Sequence, residues 1–119
     1  MVRMGDPQFE IRPWGSFTVL DDASTHKVKS LTVRPGHRLS YQRHRHRAEH
    51  WFVVVGTATV TIDDEVHTVQ RGEYIDIPTM AWHRIENRGD DELTFVEVQH
   101  GSYFGEDDIE RQSDDYGRA

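Results

Sequence analysis

The sequence predicts an all-β fold in a single domain, of the jelly-roll, β-sandwich or small-barrel type. Three observations lead to this prediction: short strand-like segments recur, turn residues separate them, and no stretch keeps a helical period. Short strands that recur about every ten residues are typical of these folds. A chain of 119 residues is long enough for one hydrophobic core and too short for two.

The first strands are predicted from side-chain type and alternation. Residues 15–20 and 27–34 are rich in β-branched and apolar side chains, residues 39–44 alternate in polarity, and residues 49–55 are nearly continuously apolar. Short apolar runs bounded by turn residues such as Pro35-Gly36 are typical of strands buried in a sandwich or barrel.

The later strands include a predicted hairpin. Residues 57–62 and 65–70 flank Asp63-Asp64, a pair that suits a two-residue turn between antiparallel strands. Three further segments complete nine predicted strands: 73–77, 83–87 and 92–99.

The chain divides into three predicted parts. Residues 1–12 are expected to form an N-terminal arm, residues 13–104 the β-barrel, and residues 105–119 an acidic C-terminal tail. The tail is expected to be a loop or a short helical turn.

Composition and charge exclude several classes of protein. Cysteine is absent, which excludes disulfides, cysteine-based zinc sites and a thiol nucleophile. The net charge of −7 argues against nucleic acid or an anionic membrane as a partner. No apolar run approaches the length of a membrane span and no secretory signal is evident, so a cytoplasmic location is expected.

Charge is unevenly distributed along the chain. Residues 34–47 contain five arginines, three histidines and no acidic residue, whereas residues 106–115 contain six acidic residues and one arginine. A basic centre in an acidic protein suits a small anionic ligand such as a phosphate or carboxylate. The alternative is that the two segments are solvated faces that pair with each other.

Strand alternation places two charged residues on the inner face. Side chains two positions apart on a strand share a face, so Lys29 lies with Leu31 and Val33. By the same rule Glu97 lies with Phe95 and points inward. Lys29 then either reaches out of the barrel mouth with its stem buried or faces a ligand.

Two blocks of fixed spacing carry a family resemblance. The blocks consist of Gly36, Gln42-x-His44, Glu49 and Gly56, and then Gly72, Pro78, His83 and Asn87. They resemble the two sequence motifs of the cupin superfamily, with Gln42 in place of the first motif histidine and Met80 in place of a glycine. The resemblance implies a cupin-type jelly roll, or double-stranded β-helix.

The same blocks predict a metal site. Gln42 and His44 point the same way on their strand, Glu49 opens the next strand, and a jelly roll can bring His83 opposite them. An amide oxygen, two imidazoles and a carboxylate suit zinc, iron, manganese, cobalt or nickel. One divalent ion is therefore expected, with zinc as the first choice.

Two alternatives to this ligand set remain open. A four-histidine set would use His44, His46, His50 and His83, but it puts the glycine spacings of the motifs out of register. The other alternative is a cupin that binds no metal and fills its barrel with satisfied polar groups.

A closer resemblance covers nearly all of residues 11–118. Gln42-x-His44-x-x-Arg47-x-Glu49-His50-Trp51 resembles the signature of type II phosphomannose isomerases. Segments 12–16, 28–36, 98–109 and 115–118 resemble other parts of that family. Its cupin domain is usually fused behind a mannose-1-phosphate guanylyltransferase. Here it is expected to be free-standing, without guanylyl transfer.

The resemblance implies reversible conversion of mannose 6-phosphate to fructose 6-phosphate. This reaction moves a proton between C2 and C1 through an enediol and needs a base close to the C2 proton. Glu97, His46 and Lys29 are candidates for that base. Lys29, His46 and Arg47 are candidate substrate contacts, and the Arg47 fork suits phosphate or a reacting oxygen. Alternatively, Arg47 bridges to the acidic tail.

Other functions share these features. The runner-up readings are an isomerase of another sugar phosphate and a non-catalytic cupin that binds a sugar or metabolite. An Fe(II) dioxygenase also shares the barrel and the metal, but the glutamine ligand and the isomerase motifs count against it. The expected partner is a small phosphorylated sugar. A homodimer is expected too, because cupins commonly pair through exposed strands.

Overall fold

Two antiparallel sheets make up the molecule in the computed structural model, which describes residues 8–117. One sheet has six strands in the order β1-β2-β3-β10-β5-β8, and the other has five in the order β11-β4-β9-β6-β7. The strands are β1 (Gln8–Arg12), β2 (Gly15–Asp22), β3 (His26–Val33), β4 (Tyr41–Arg43), β5 (Arg47–Val55), β6 (Thr57–Ile62), β7 (Glu65–Gln70), β8 (Tyr74–Ile77), β9 (His83–Glu86), β10 (Leu93–Gly101) and β11 (Glu110–Ser113). The prediction of an all-β jelly roll is confirmed. Across residues 8–117 there is no helix that is long and apolar enough to span a membrane.

All nine predicted strands are present, with ends shifted by up to a few residues. The predicted hairpin joins β6 to β7, and both of its central residues, Asp63 and Asp64, have positive φ angles of 46° and 69°. Positive φ at both positions matches the right-handed twist of the flanking strands, as in tight hairpins of this length.

Two strands lie where the sequence predicted an arm and a tail. Residues 8–12 form β1, which pairs with β2 at the edge of the larger sheet. The expectation of a loop or helical turn after residue 105 is corrected by β11, which pairs with β4 at the edge of the smaller sheet. Neither strand has the buried apolar face by which a strand is recognised in a sequence. Phe9 and Ile11 of β1 are exposed, and β11 consists of polar residues. The rest of the predicted arm and tail, residues 1–7 and 118–119, lies outside the described residues.

Register in the larger sheet separates an apolar end of the barrel from a polar one. At one end Phe95 of β10 lies between Leu31 and Val53 of the neighbouring strands, and all three are buried. One row along, Glu97 lies beside Lys29 of β3, and both are also buried. The predicted inward orientation of these two charged residues is confirmed. The inner face of the sheet therefore supplies a core at one end and a polar cavity at the other.

Met80 adopts the left-handed conformation that the cupin motif fills with glycine. Its φ is +72°, its side chain is partly exposed, and its amide donates to the carbonyl of His44. We expect Met80→Gly to raise the free energy of unfolding by about 0.5–1 kcal/mol, because glycine has no Cβ to strain there. Urea unfolding measures the change. Met80→Ala, which keeps a Cβ, should give no such gain, and a glycine variant less stable than wild type would contradict the argument.

Candidate metal centre and ligand cavity

Three buried side chains bring their ligand atoms together inside the barrel. One atom each from His44, Glu49 and His83 lies within 4.8 Å of the others. The Nε2 atom of His44 is 3.4 Å from Oε2 of Glu49, and the Nε2 atom of His83 is 3.9 Å from Oε1 of Glu49. His44 follows β4, Glu49 lies on the inner face of β5, and His83 begins β9. The sequence motifs placed all three residues at this site.

Both histidines are held in the form that can bind a cation. Nδ1 of His44 donates to the carbonyl of Asp108 at 2.6 Å, and Nδ1 of His83 donates to the carbonyl of Ala81 at 2.9 Å. Since a carbonyl only accepts, each Nδ1 carries the proton and each Nε2 keeps a lone pair. Burial lowers the pKa of both imidazoles to about 4, so they are neutral at pH 7.

The donor set fits a divalent ion. Nε2 of His83 is buried and has no hydrogen-bond partner, an arrangement that is costly unless something binds there. Two imidazole lone pairs and one carboxylate are ligands that zinc and similar ions accept.

Gln42 lies beside this triad, and its predicted role as a fourth ligand stays a prediction. It pairs with His83 across β4 and β9, and its Oε1 atom accepts a hydrogen bond from the hydroxyl of Ser40 at 2.9 Å. Its side chain lines the same cavity as that of His44.

The structure does not assemble the four-histidine alternative. His46 is exposed at the turn before β5. His50 lies on the outer face of β5, where its ring contacts Asp76 at 2.6 Å and packs against Tyr74. Strand alternation explains both positions, because the inner face of β5 carries Arg47 and Glu49 instead.

A cavity of about 170 Å³ opens beside the triad. Its lining includes six polar residues that matter for the chemistry: Lys29, Gln42, His44, Arg47, Glu97 and Glu106. Trp14 and Phe17 supply an apolar wall. The cavity gathers two of the three candidate bases, Glu97 and Lys29, and two of the three predicted substrate contacts, Lys29 and Arg47. His46 is the third, and it lines a separate surface depression with Tyr103.

Glu97 is a buried carboxyl group held by two hydrogen-bond donors. Nε2 of Gln99 donates to its Oε1 at 2.7 Å, and Nε1 of Trp51 donates to its Oε2 at 3.2 Å. Burial and the nearby charge of Glu49 raise the pKa of Glu97 to about 7. A carboxyl group with this pKa can take up and release a proton near neutral pH.

Arg47 pairs inside the barrel and not with the acidic tail. Its Nε atom donates to Oε2 of Glu49 at 2.9 Å, and its Nη2 atom lies 3.3 Å from Nε2 of His44. Its Nη1 atom is buried without a hydrogen-bond partner. The guanidinium belongs to a residue that lines the cavity, and it has one N–H group without a partner in the protein, which could donate to an anionic ligand.

Asp108 orients one residue of the candidate metal triad, a role that the sequence alone does not reveal. Its two carboxylate oxygens accept the backbone N–H groups of Arg45 and His46 at 3.0 and 2.9 Å. Its own backbone carbonyl accepts a hydrogen bond from Nδ1 of His44. The acidic segment therefore fixes the turn between β4 and β5 and orients one candidate ligand. In the sequence, Asp108 is one member of an acidic run, which is equally compatible with a solvated loop.

Comparison with known proteins gives a consistent result along the whole cupin region. The model of the family described as "Mannose-6-phosphate isomerase C-terminal" matches residues 7–114. The alginate biosynthesis protein AlgA of Pseudomonas aeruginosa is 52% identical over 108 residues, which are 91% of this chain and 22% of that protein. The mannose-1-phosphate guanylyltransferase of Escherichia coli is 50% identical over 91% of this chain and 23% of its own length. The chain thus spans under a quarter of the length of these relatives.

A solved structure supports the fold. A cupin-2 domain from Rhodospirillum rubrum superposes with a TM-score of 0.76 at 17% identity, covering 90% of this chain and 76% of that one. At this level of identity the likeness concerns the fold alone, and it confirms the cupin architecture that the motif spacing implied.

Proposed function

The chain belongs to the mannose-6-phosphate isomerase C-terminal family, and we propose that it is a metal-dependent aldose–ketose isomerase that interconverts mannose 6-phosphate and fructose 6-phosphate. One observation carries the proposal. A buried carboxyl group with a pKa near neutrality, Glu97, lines the same cavity as His44 of the candidate metal triad and the cations Lys29 and Arg47.

The reaction needs a base that first accepts and then returns a proton. In the open-chain sugar, removal of the C2 proton gives a cis-enediolate with negative charge on O1. Transfer of the hydroxyl proton from O2 to O1 and return of the first proton to C1 then complete the ketose. Glu97 suits this role because its ionised and neutral forms are both populated near pH 7. The hydrogen bonds from Gln99 and Trp51 fix the orientation of its carboxyl group.

The candidate metal ligands would hold an ion close to the substrate oxygens on which negative charge develops. A divalent ion, for which zinc is proposed first, would be held by Gln42, His44, Glu49 and His83 and would supply Lewis-acid stabilisation of that charge. Manganese, cobalt, nickel and iron suit the same ligands.

Lys29 and Arg47 are proposed to bind the anionic group of the substrate. Both are buried, both line the cavity, and Nη1 of Arg47 has no partner within the protein. A buried cation strengthens its contact with an anion because little water screens it. The proposed ligand is therefore a small phosphorylated sugar. We also propose that the protein forms a homodimer and is located in the cytoplasm.

A coupled assay tests the proposal. Protein stripped of metal and reloaded separately with zinc, manganese, cobalt, nickel or iron(II) is mixed with mannose 6-phosphate, and fructose 6-phosphate is followed. We expect turnover with at least one metal, none after chelation, and none with unphosphorylated mannose. Protein that binds metal and phosphate but turns over with no metal would contradict the isomerase and leave a sugar-phosphate-binding cupin.

A further inference from the structure

We propose that Glu106 occupies the anion subsite of the cavity, and that the phosphate group of a ligand displaces it from Lys29. This inference deepens the proposed function and rests on it. It assigns Glu106 as an internal competitor that sets how tightly every anionic ligand binds.

The contact between Lys29 and Glu106 is the first observation. Nζ of Lys29 donates to Oε1 of Glu106 at 2.7 Å, and Nζ of Lys27 lies 3.9 Å from the same oxygen. The two partners differ in exposure, since the side chain of Lys29 is 8% exposed and that of Glu106 is 59% exposed. The lysine is thus fixed within the barrel, and the carboxylate is the partner that can leave into water.

The position of the contact is the second observation. Glu106 lines the same cavity as Arg47, whose buried Nη1 has no partner. The positive charges of Lys29 and Arg47 also act on Glu106, and together they lower its pKa although its exposed side chain is partly desolvated by the cavity wall. A carboxylate of this chain therefore lies in the field of the two cations proposed to bind substrate.

A physical reason favours such a competitor in a cavity of this kind. A buried lysine without a hydrogen-bonded counter-charge is costly, so a subsite built on Lys29 needs such an anion when no ligand is present. The neighbouring Glu97 does not fill this role, because its oxygens accept from Trp51 and Gln99. Glu106 provides that anion and its departure uncovers the lysine. Every ligand that uses the subsite must first break the same contact, so its affinity is lowered by a common factor. A ligand without an anionic group leaves the contact intact and is unaffected.

Calorimetric titration of the full chain after chelation of metal tests the inference directly. The probes are inorganic phosphate, mannose 6-phosphate and mannose, and the variant is Glu106→Gln, which keeps the size and removes the charge. We expect both phosphates to bind about tenfold more tightly, by similar factors, with mannose binding unchanged.

Glu110→Gln is the matched control. Glu110 lies four residues along the same acidic segment and pairs with Arg43 and Arg45, and it does not line the cavity. Its variant should bind both phosphates as wild type does. Phosphate affinity that is unchanged or weaker in Glu106→Gln would overturn the inference, because Glu106 would then lie outside the subsite or contribute to ligand binding.

The titration separates this inference from the proposed isomerase because it does not depend on turnover. Lys29→Met should abolish phosphate binding. If Lys29→Met abolishes phosphate binding while Glu106→Gln has no effect, the proposed role of Glu106 is wrong, but the anion subsite at Lys29 is supported. If Glu106→Gln tightens phosphate binding and no metal supports isomerisation, the proposed role of Glu106 is supported and the proposed isomerase activity is wrong.

Discussion

His83→Ala will lose tight binding of divalent metal ions. His83 contributes a buried Nε2 lone pair that has no partner within the protein, and its Nδ1 proton is held by the carbonyl of Ala81. Without it, His44 and Glu49 remain as two of the three clustered ligands. Loss of groups that only orient a metal ligand costs 10–100-fold in affinity, so we expect loss of the ligand itself to cost about 100-fold or more.

Competition with a chelator of known affinity measures this loss, with bound metal counted by elemental analysis. His50→Ala is the matched control, because His50 lies on the outer face of β5 and contacts Asp76. It should bind metal as wild type does. His83→Leu retains side-chain bulk without a ligand atom, in case the alanine variant unfolds. Unchanged metal affinity in a folded His83 variant would contradict the site, and loss of metal in His50→Ala would favour the four-histidine set.

Glu97→Gln will lower kcat for mannose 6-phosphate by a factor of about 10²–10⁴, which is the usual contribution of a general base. The amide has nearly the same shape as the carboxyl group but cannot accept the C2 proton. Its side-chain oxygen can still receive the hydrogen bond from Gln99, and the indole N–H of Trp51 keeps its other acceptor, Oε1 of Glu49 at 3.0 Å. The local packing should therefore be retained. The binding of metal and of inorganic phosphate should change little.

Steady-state rates and the two binding measurements check this prediction together. Glu86→Gln on β9 is the control, because Glu86 pairs with Arg88 away from the cavity lining. It should turn over like wild type. A Glu97→Gln enzyme that keeps most of its kcat would show that another group is the base, and Lys29 would then be the remaining candidate that lines the cavity.

Local patterns explain what the sequence could predict. Alternation along β3 and β10 placed Lys29 and Glu97 on the inner face, because a strand gives each side chain a face without reference to distant residues. The spacing of His44, Glu49 and His83 predicted that these residues cluster as a candidate metal triad, because the family motifs encode how the segments that carry them meet.

Contacts between distant segments explain what the sequence could not predict. Asp108 fixes the turn of Arg45 through a contact 63 residues apart in the chain, and Glu106 reaches Lys29 across 77 residues. Nothing in an acidic run says which of its members turns inward. The pKa of Glu97 is set by burial and by Glu49, so it also depends on the folded arrangement. His46 stands at a position that the motif leaves open, and the turn before β5 directs it to the surface.

Proton NMR of mannose 6-phosphate in deuterated water, with metal-loaded protein, tests the central claim most directly. It follows conversion and the fate of the transferred proton in the same sample. We expect that fructose 6-phosphate forms and carries deuterium at C1, because the proton held by Glu97 exchanges with solvent between its two transfers. Mannose 6-phosphate that stays unconverted and unlabelled, in a sample shown to bind both metal and phosphate, would contradict it.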